Sequence, residues 1–309
     1  MTPQACPLCG QREAKLVFSY DEPDAYELAV GVKREGYARA WVRCAECNLH
    51  YSRYSREPDR LDRIYDRAYR DAGHSFRPAD AEATFRAVIA LPPEQSESVQ
   101  RAHAILDTVE RLQAQAVLEP WEERPRRLLD VGGASGVFGY VFGLVAAECA
   151  TRDYVTHSRV ERQELADLDT QRADAWSVEI VDPSAQGRFI EAHGVTYHQR
   201  RFDCSFDARP FHLISMNYLL EHVADPGAVL AAARGHLVAS GLLYVEVPDE
   251  IAFRRVSKHD DIFNSCHLWM FGPDSLLQLL DAADFEPLAI TRSRSPRGHF
   301  SLSVLAGCK

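Results

Sequence analysis

The segment LLDVGGASGVFG, at residues 128–139, constrains the fold more than any other part of the chain. Its apolar strand end carries Asp130. Gly132, Gly133 and Gly136 then let the backbone turn tightly and approach a ligand without a Cβ in the way. An amphipathic run over residues 137–145 follows. A strand, a glycine turn and a helix start in this order predict a nucleotide-type cofactor site in an α/β fold.

The spacing of the glycines separates two kinds of cofactor loop. The dinucleotide pattern Gly-x-Gly-x-x-Gly has its nearest register at Ala134, Gly136 and Gly139, where the first position is not glycine. The pattern Asp/Glu-x-Gly-x-Gly-x-Gly fits better, because Asp130, Gly132 and Gly136 are in place and only the middle glycine is replaced, by Ala134. The loop therefore resembles that of class I S-adenosylmethionine-dependent methyltransferases. The alternative is an ordinary tight turn between a strand and a helix.

The charge balance and hydropathy of the chain exclude several classes of function. Thirty-five basic and 45 acidic residues give a net charge of −10, whereas general nucleic-acid and membrane-surface binders need a basic field. No apolar run approaches the roughly 20 residues of a membrane span, and the N-terminus lacks the basic and apolar regions of a secretory signal. We therefore expect a cytoplasmic protein with reduced cysteines and with no nucleic-acid or membrane partner.

Four of the eight cysteines form two Cys-x-x-Cys pairs near the N-terminus, Cys6 with Cys9 and Cys44 with Cys47. Each pair can direct two thiolates at one metal ion, and two pairs complete a tetrahedral site of four sulfurs. Such a site leaves no open position for a substrate, so we expect zinc in a structural role. The other four cysteines are scattered singly and are expected to behave as small buried apolar residues.

The pattern along the chain predicts a small N-terminal module followed by a large α/β domain. Residues 1–56 resemble a zinc ribbon with strands at 16–20 and 40–43, and residues 57–75 have a helical pattern. We place the boundary between the two domains there, at 1–75 and 76–309. The charged stretch 149–175 exceeds what a strand-helix-strand crossover needs. It is expected to be an insertion that serves as a lid, a dimer contact or a surface excursion.

Within the large domain, strands and helices alternate from residue 126 onward, which predicts a parallel sheet. A helix over residues 94–117 leads into it. The predicted strands cover residues 126–131, 177–181, 194–199, 211–216, 241–247, 285–292 and 299–306. The predicted helices of the sheet domain cover residues 136–147, 184–193, 225–238 and 273–283.

Polar residues follow the predicted strands at the edge where a cofactor would lie. Asp182 and Pro183 stand at the tip of the second strand, where a carboxylate can accept hydrogen bonds from a ribose diol or cap the next helix. Asp203, with Asp207 as a rival, could accept from an adenine amino group or be a plain loop carboxylate. Asn217 ends the buried strand FHLISMN at the same crevice.

These motifs, taken in order, extend the resemblance over nearly the whole chain. LLDVGGASG, VDPS, LLEHVADP, GLLYVEVPDE and HLWMFGPDSLLQLLDAADFEP resemble class I methyltransferases. CPLCG…CAEC followed by RIYDRAY is similar to the subset with an N-terminal zinc-binding domain, the sugar C-methyltransferases of antibiotic and surface-polysaccharide pathways. The resemblance implies a Rossmann-like seven-strand sheet with its last strand antiparallel. It also implies that Asp130, Gly132 and Gly136 line the methionine end of the cofactor and that Asp182 binds its ribose.

Methyl transfer from a sulfonium needs an acceptor aligned with the methyl group and, for a carbon beside a ketone or for a hydroxyl, a base. His222, in LLEHVADP, is the candidate base because neutral imidazole is available near pH 7. Glu221 would orient it or bind a sugar hydroxyl, although such a pair also marks the fold in methyltransferases of differing acceptors. His267 either faces the acceptor, as could Tyr65 and Tyr69, or packs between the domains.

Metal binding at the Glu221–His222 pair is not expected. In some quinone-pathway O-methyltransferases this pair binds a metal together with a carboxylate three residues before the glutamate. In this chain that position is Tyr218. The basic segment 292–299 could meet a phosphate of a nucleotide sugar, or it could be a solvated hairpin loop.

Together these features predict an S-adenosylmethionine-dependent methyltransferase with a structural zinc module, acting on a small molecule as a monomer or homodimer. The favoured acceptor is a carbon of a nucleotide-linked sugar. O- or N-methylation of another natural-product or polysaccharide intermediate is the first alternative. A non-catalytic interaction protein of the same fold is a rival that Ala134 favours, whereas Asp130 and Asp182 argue against it. A nicotinamide enzyme is a more distant alternative.

Overall fold

The computed structural model describes residues 5–54, 80–152 and 176–309. Its larger sheet has seven strands, which are β4 (Arg126–Val131), β5 (Trp176–Val181), β6 (Thr196–His198), β7 (Phe211–Asn217), β8 (Leu237–Pro248), β10 (Phe285–Arg294) and β11 (Phe300–Cys308). Their order across the sheet is β10-β11-β8-β7-β4-β5-β6. Strands β4 to β8 run parallel, whereas β11 is antiparallel to both β8 and β10. The predicted sheet with an antiparallel last strand is confirmed.

Helices cover both faces of this sheet. They are α2 (Ala81–Ile89), α3 (Glu97–Ala114), α4 (Val137–Arg152), α5 (Pro226–Gly235) and α7 (Pro273–Ala282), whereas the short helix α6 (Ala252–Arg255) packs with Trp41 and Met270 of the smaller sheet. Leu128 belongs to an apolar cluster with α3 and α4, and its neighbour Leu129 to another with α5 and α7. Successive side chains of a strand point to opposite faces, so these clusters are the two cores of a three-layer domain.

The smaller sheet joins the N-terminal module to a segment from far along the chain. It contains β1 (Ala14–Tyr20), β2 (Arg39–Cys44), β3 (His50–Tyr54) and β9 (Trp269–Met270), in the order β1-β2-β3-β9. A short helix, α1 (Ala25–Ala29), begins at a capping box on Asp24. Cys6 and Leu49 share one apolar cluster with Leu129 of β4. The module therefore packs on the large sheet instead of standing apart from it.

Most predicted elements lie within a few residues of the observed ones, and the differences have local causes. Residues 184–193 were predicted as a helix, but Ala185–His193 forms 3-10 turns. Strand β8 begins at Leu237, so the helix predicted to reach residue 238 ends at Gly235. Strand β9, of two residues, shows no sequence signal of its own. The predicted helix 57–75, with Tyr65 and Tyr69, and residues 153–175 of the predicted insertion lie outside the described residues.

Within the residues that the structure describes, no helix is long and apolar enough to cross a membrane.

Candidate cofactor and acceptor site

The loop after β4 needs glycine at three positions. Gly132 and Gly136 have φ of 73° and 77°, in the left-handed region that side chains rarely adopt. A Cβ on Gly133 would lie 2.7 Å from Oδ2 of Asp130 and 2.8 Å from Cγ2 of Ile180. The loop therefore folds close against the ends of β4 and β5, with its backbone along the edge of the sheet.

Ala134, the residue that departs from the glycine pattern, is also left-handed, with φ of 52°. Its backbone N–H donates to Oδ2 of Asp182 at 3.1 Å. Oδ1 of Asp182 accepts from the backbone N–H of Ser184 at 2.8 Å. The buried Asp182 side chain thus ties the tip of β5 to the loop after β4. Pro183 follows it at the surface.

Asp130 is a buried carboxylate beneath this loop. Its Oδ1 accepts from Oγ of Ser215 at 2.7 Å and from Nδ2 of Asn217 at 3.1 Å, both on β7. Burial raises the pKa of Asp130 to about 6, although the hydrogen bonds from Ser215 and Asn217 and the charge of Arg101 act to lower it. Asp130, the glycines, Asp182 and Asn217 are therefore brought to one edge of the sheet.

Asp203 has a different setting from the other predicted cofactor residues. It is exposed in the loop after β6, where its Oδ1 accepts from the backbone N–H of Ser205 at 2.8 Å and from the Ser205 hydroxyl at 2.5 Å. The hydrogen bonds from Ser205 lower the pKa of the Asp203 carboxyl. The Asp203 side chain is thus bonded within its own loop, whereas Asp130 and Asp182 are bonded to neighbouring elements of the sheet edge.

The three predicted acceptor-side residues form one cluster. Glu221 and His222 lie in the 3-10 turn Leu220–His222, directly after β7, and His267 lies just before β9. One ligand atom from each of the three side chains lies within 4.8 Å of the others. The two imidazole rings meet edge to face, with centroids 4.6 Å apart. Glu221 is completely buried, and His267 is 8% exposed.

Backbone carbonyls fix the orientation of both imidazoles. Nδ1 of His222 donates to the carbonyl oxygen of Cys266 at 3.1 Å, and Nδ1 of His267 donates to that of Ile262 at 2.6 Å. In the neutral form of each ring, Nε2 is therefore the basic nitrogen. Nε2 of His222 lies 3.9 Å from Oε1 of Glu221.

The N-terminal module holds the segment that carries His267. Asp24 accepts from the backbone N–H of Ser265 at 2.5 Å and from its hydroxyl at 2.9 Å. Arg39 donates to the carbonyl oxygen of Phe263 at 2.8 Å. The backbone N–H of Leu268 in turn donates to the carbonyl oxygen of Glu221 at 2.7 Å. Sequence reasoning missed these supports because each joins residues more than forty positions apart.

A buried ion pair that the sequence did not reveal lies beside the cofactor loop. Nε of Arg101, on α3, donates to Oε2 of Glu246 at 2.5 Å, and the hydroxyl of Tyr244 donates to the same oxygen at 2.8 Å. Burial alone would raise the pKa of Glu246, but the Arg101 charge lowers it below its usual range. The Arg101 guanidinium also lies 5.8 Å from the ring centre of Tyr218.

This ion pair lines a cavity of about 260 Å³ between α3 and the strands β8, β10 and β11. The basic segment 292–299 forms the end of the hairpin between β10 and β11. There Arg297 pairs with Glu97 at 2.5 Å, and Arg292 pairs with Asp249 at 2.6 Å. The serine and threonine side chains that line the cavity are Thr108, Thr291, Ser293, Ser295, Ser301 and Ser303.

The four N-terminal cysteines meet as their spacing predicts. The Sγ atoms of Cys6 and Cys47, and those of Cys9 and Cys44, lie 3.5 Å apart, and all four lie within 4.8 Å of one another. A tetrahedral zinc ion with Zn–S bonds of about 2.3 Å places its sulfurs about 3.8 Å apart. Gly10 and Asn48, the residues after each pair, have φ of 75° and 62°, as the turns require. The cluster is therefore consistent with a zinc site.

Comparison with known proteins shows which family the sequence belongs to. A sequence family described as a methyltransferase domain matches residues 99–290. None of the curated proteins compared with the chain matches it.

Solved structures similar to this chain include methyltransferases of several kinds. One is the 1,6-didemethyltoxoflavin-N1-methyltransferase of Burkholderia thailandensis with bound 1,6-didemethyltoxoflavin and S-adenosylhomocysteine. It shares 16% identity over 86% of this chain and 97% of that chain, with a TM-score of 0.47. Another is the N-methyltransferase NodS of Bradyrhizobium japonicum WM9 in complex with S-adenosylhomocysteine, at 10% identity over 74% and 98% of the two chains, with a TM-score of 0.41.

The family match covers more than half of the chain and includes the Asp130 loop, Asp182 and the Glu221–His222 pair. The chain belongs to the methyltransferase domain family and is an S-adenosylmethionine-dependent methyltransferase.

Proposed function

We propose that the protein transfers the methyl group of S-adenosylmethionine to a carbon atom of a nucleotide-linked sugar held beside Glu221, His222 and His267. One observation supports the position that we propose for the acceptor. The cluster follows β7 directly, and Asn217 at the end of β7 donates to Asp130 under the cofactor loop. The acceptor cluster and the cofactor loop are thus consecutive features of one sheet edge, as methyl transfer between them requires.

The cofactor-side residues fit a cationic, nucleoside-containing group. The buried carboxylate of Asp130 suits the positively charged methionine end. A Cβ at Gly132, Gly133 or Gly136 would lie within 3 Å of a side-chain atom of Leu219, Asp130 or Ile190, respectively, so the glycines let the loop pack closely around Asp130. We assign the ribose to Asp182 and Pro183, the adenine amino group to Asp203, and a supporting role to Asn217. The bound cofactor supplies an activated methyl group, and the protein supplies its position.

We assign the proton transfer to His222. Its Nδ1–H is bonded to the carbonyl oxygen of Cys266, which leaves Nε2 as the atom that accepts the acceptor's proton. Glu221, 3.9 Å from that nitrogen, stabilises the imidazolium that results. His267 contacts the His222 ring and flanks the same space. The residues therefore cover both needs of a carbon beside a ketone, namely removal of a proton and charge balance afterwards.

Two features support a sugar as the acceptor. The N-terminal module, on whose sequence the resemblance to sugar C-methyltransferases rests, brings its four cysteines together and contacts the segment that carries His267 through β9. The cavity of about 260 Å³ between α3 and the strands β8, β10 and β11 is lined by six serine and threonine hydroxyls and by the carboxylates of Glu97 and Glu246. Such groups exchange hydrogen bonds with a polyhydroxylated ring.

The experiment that tests this proposal is a screen of acceptors with methyl-labelled S-adenosylmethionine. Nucleotide-linked keto sugars are compared with the corresponding sugars that lack the ketone, and product mass and the carbon chemical shift of the label identify the methylated atom. The proposal predicts a carbon-bound methyl group on a keto sugar only. An oxygen- or nitrogen-bound methyl group on another small molecule would replace the sugar assignment and leave methyl transfer in place.

A further inference from the structure

Arg101 has hydrogen-bond donors that the described part of the chain does not use. Its side chain is 9% exposed, and its Nε donates to Oε2 of Glu246 at 2.5 Å. The terminal nitrogens, Nη1 and Nη2, have no hydrogen-bond acceptor among the residues that the structure describes. A guanidinium has five N–H donors, of which Nε supplies one, and buried polar groups are nearly always bonded. Within this part of the molecule, Arg101 is therefore a buried cation whose outer donors are open to a ligand.

Arg101 forms part of the wall of the cavity between α3 and the strands β8, β10 and β11. It lines this cavity together with the six serine and threonine side chains named above. Among the described residues, the unbonded side-chain atoms that are sealed from solvent include neither terminal nitrogen of Arg101. A ligand in the cavity can therefore reach both nitrogens.

The same guanidinium lies beside the cofactor loop. Its partner Glu246 stands opposite Asn217 in the register of β8 and β7, at the edge of the sheet. The guanidinium carbon lies 5.6 Å from the ring centre of Phe138, near the start of α4. Burial raises the pKa of Asp130, and the charge of Arg101 is close enough to act against that rise. Arg101 thus connects the cavity to the part of the sheet edge where the cofactor loop lies.

Arg101 and His222 approach this edge from opposite faces of the sheet. Arg101 belongs to α3, which packs on one face in the apolar cluster of Leu128. Leu220, in the same 3-10 turn as His222, belongs to the apolar cluster on the other face. An acceptor held at the end of β7 would therefore have the guanidinium on one side and the imidazole on the other.

The proposed reaction creates a negative charge that needs a donor of its own. Glu221 is placed to stabilise the imidazolium that forms when His222 takes the proton. The remaining charge develops on the ketone oxygen of the acceptor. Donors that are fixed at such an oxygen before the reaction lower its barrier, most of all where water is excluded. A guanidinium suits this task because it stays charged at neutral pH and directs two parallel N–H groups at one partner.

We propose that Nη1 and Nη2 of Arg101 donate to the ketone oxygen of the acceptor and stabilise the enolate that forms there. This inference rests on the proposed function. His222 removes the proton from the carbon beside the ketone, the C–H electron pair becomes the C=C bond, and the C=O pair moves to oxygen. The enolate carbon then attacks the methyl group, the methyl–sulfur bond breaks with its electron pair on sulfur, and the ketone re-forms. The products are the methylated ketone, S-adenosylhomocysteine and a proton on His222.

Exchange of the acceptor's hydrogen with solvent tests this role without methyl transfer. The protein is incubated in D2O with S-adenosylhomocysteine and a thymidine-diphosphate-linked 4-keto-6-deoxyglucose, and mass and proton spectra measure deuterium at the carbons beside the ketone. We expect the wild type to catalyse exchange above the rate without protein. Arg101→Lys keeps a positive charge for Glu246 but loses the forked donors, so its exchange rate should fall about 10²- to 10³-fold. Its affinity for S-adenosylhomocysteine should stay within about two-fold.

A second variant removes both charges of the ion pair, because an unpaired buried carboxylate can unfold a protein. The double variant Arg101→Gln, Glu246→Gln should lose exchange to the same extent as Arg101→Lys. The matched control is Arg127→Lys. Arg127 is also buried and ion-paired, with Glu179, but it lies at the start of β4 and donates to the Pro210 carbonyl at 3.0 Å. This control should lose stability and keep the wild-type exchange rate.

The outcomes separate this inference from the proposed function. Wild-type exchange rates in both Arg101 variants would overturn the role of Arg101 and leave that of His222 in place. Loss of exchange together with loss of S-adenosylhomocysteine binding in both variants would also overturn it, because the effect would then be structural. A wild-type protein that binds S-adenosylhomocysteine but exchanges no hydrogen would overturn the proposed action on a keto sugar, and the role of Arg101 with it.

Discussion

The backbone N–H of Ala134 donates to the buried carboxylate of Asp182 at 3.1 Å. This hydrogen bond links the tip of β5 to the loop after β4. It also fixes the one loop residue that departs from the glycine pattern. A left-handed alanine costs about 1–2 kcal/mol relative to an ordinary conformation, and the Asp182 acceptor helps to offset that cost. Ala134 is therefore a residue that the turn accommodates, and it does not require a distorted cofactor loop.

Replacement of this alanine by glycine tests the account of the loop. Ala134→Gly should raise the free energy of unfolding by about 1 kcal/mol, because glycine adopts positive φ without strain. The affinity for S-adenosylhomocysteine should stay within about two-fold, which is about 0.4 kcal/mol of binding free energy, because the strain of the turn is the same with and without the cofactor. Denaturant unfolding and calorimetric titration measure the two effects.

The matched control for this change is Ala116→Gly. Ala116 is also left-handed, with φ of 55°, but lies beyond the end of α3. It should show the same gain in stability and no effect on binding. A large gain in affinity in Ala134→Gly alone would instead mean that alanine compromises the loop.

Gly187, in the 3-10 turns that follow β5, packs against the same loop. A Cβ at this position would lie 2.1 Å from the carbonyl oxygen of Ala134 and 2.5 Å from the Tyr197 ring. Gly187→Ala should therefore push the loop away, cost about 1–3 kcal/mol of stability by overpacking, and weaken S-adenosylhomocysteine binding. Gly235→Ala is the control, because no heavy atom lies within 4 Å of its added Cβ. Equal affinities in the two variants would contradict the proposed contact.

The extent to which sequence predicted this fold depended on the length and setting of each element. Strand β4 was predicted with its observed bounds because a buried apolar run meets a glycine turn at Gly132. The two cysteine pairs predicted their own cluster, since chemistry and spacing leave few alternatives. Strand β9 was missed because two residues, Trp269 and Met270, show no periodicity, and only the fold brings them to β3.

The cluster proposed as the acceptor site shows the same limit of sequence-based prediction. Glu221 and His222 are adjacent in a recognisable motif, so sequence reasoning found them together. His267 was predicted only by its position after a strand, and its contact with His222 depends on hydrogen bonds from Asp24 to Ser265 and from Leu268 to Glu221. Arg101 was missed altogether, because an arginine inside an amphipathic helix carries no signal that its partner is Glu246.

The raised pKa of Asp130 predicts a pH-dependent affinity for the cofactor. Burial raises the pKa to about 6. In the proposed site, the ionised form is the one that attracts the cationic methionine end. Below that pKa a proton must leave before binding, so affinity should fall about tenfold for each further pH unit. Titrations with S-adenosylmethionine between about pH 5 and 8 measure this effect. Asp130→Asn should bind weakly with a flat profile in this range.

The raised pKa of Asp130 also determines in which direction the stability of the protein changes with pH. The pKa of Asp130 in the folded protein is raised above its ordinary value, so folding favours the protonated side chain. Its contribution to stability is complete below about pH 4 and is lost as the pH rises through about 6. Unfolding measurements on the wild type and Asp130→Asn should therefore diverge over this window, and parallel curves would contradict the assignment.

Loss of the four-sulfur site should disturb the acceptor cluster more than the cofactor loop. Strand β9 pairs with β3 of the N-terminal module, and Leu268 bonds to Glu221. Cys44→Ser should therefore increase hydrogen exchange over residues 218–223 and 266–270, while β4 and β5 stay protected. Cys204→Ser, at an exposed cysteine outside the cluster, is the control. Unchanged exchange in residues 266–270 would show that the module does not support the acceptor site.

Titration with S-adenosylmethionine, combined with turnover of the acceptor found by the screen, tests the central claim most directly. The wild-type protein and His222→Ala should each bind one cofactor per chain with similar affinity, because His222 lies outside the loop that holds it. Only the wild type should transfer the methyl group. No binding by the wild type at millimolar cofactor would contradict the account of the site, and full turnover by His222→Ala would contradict the role of His222.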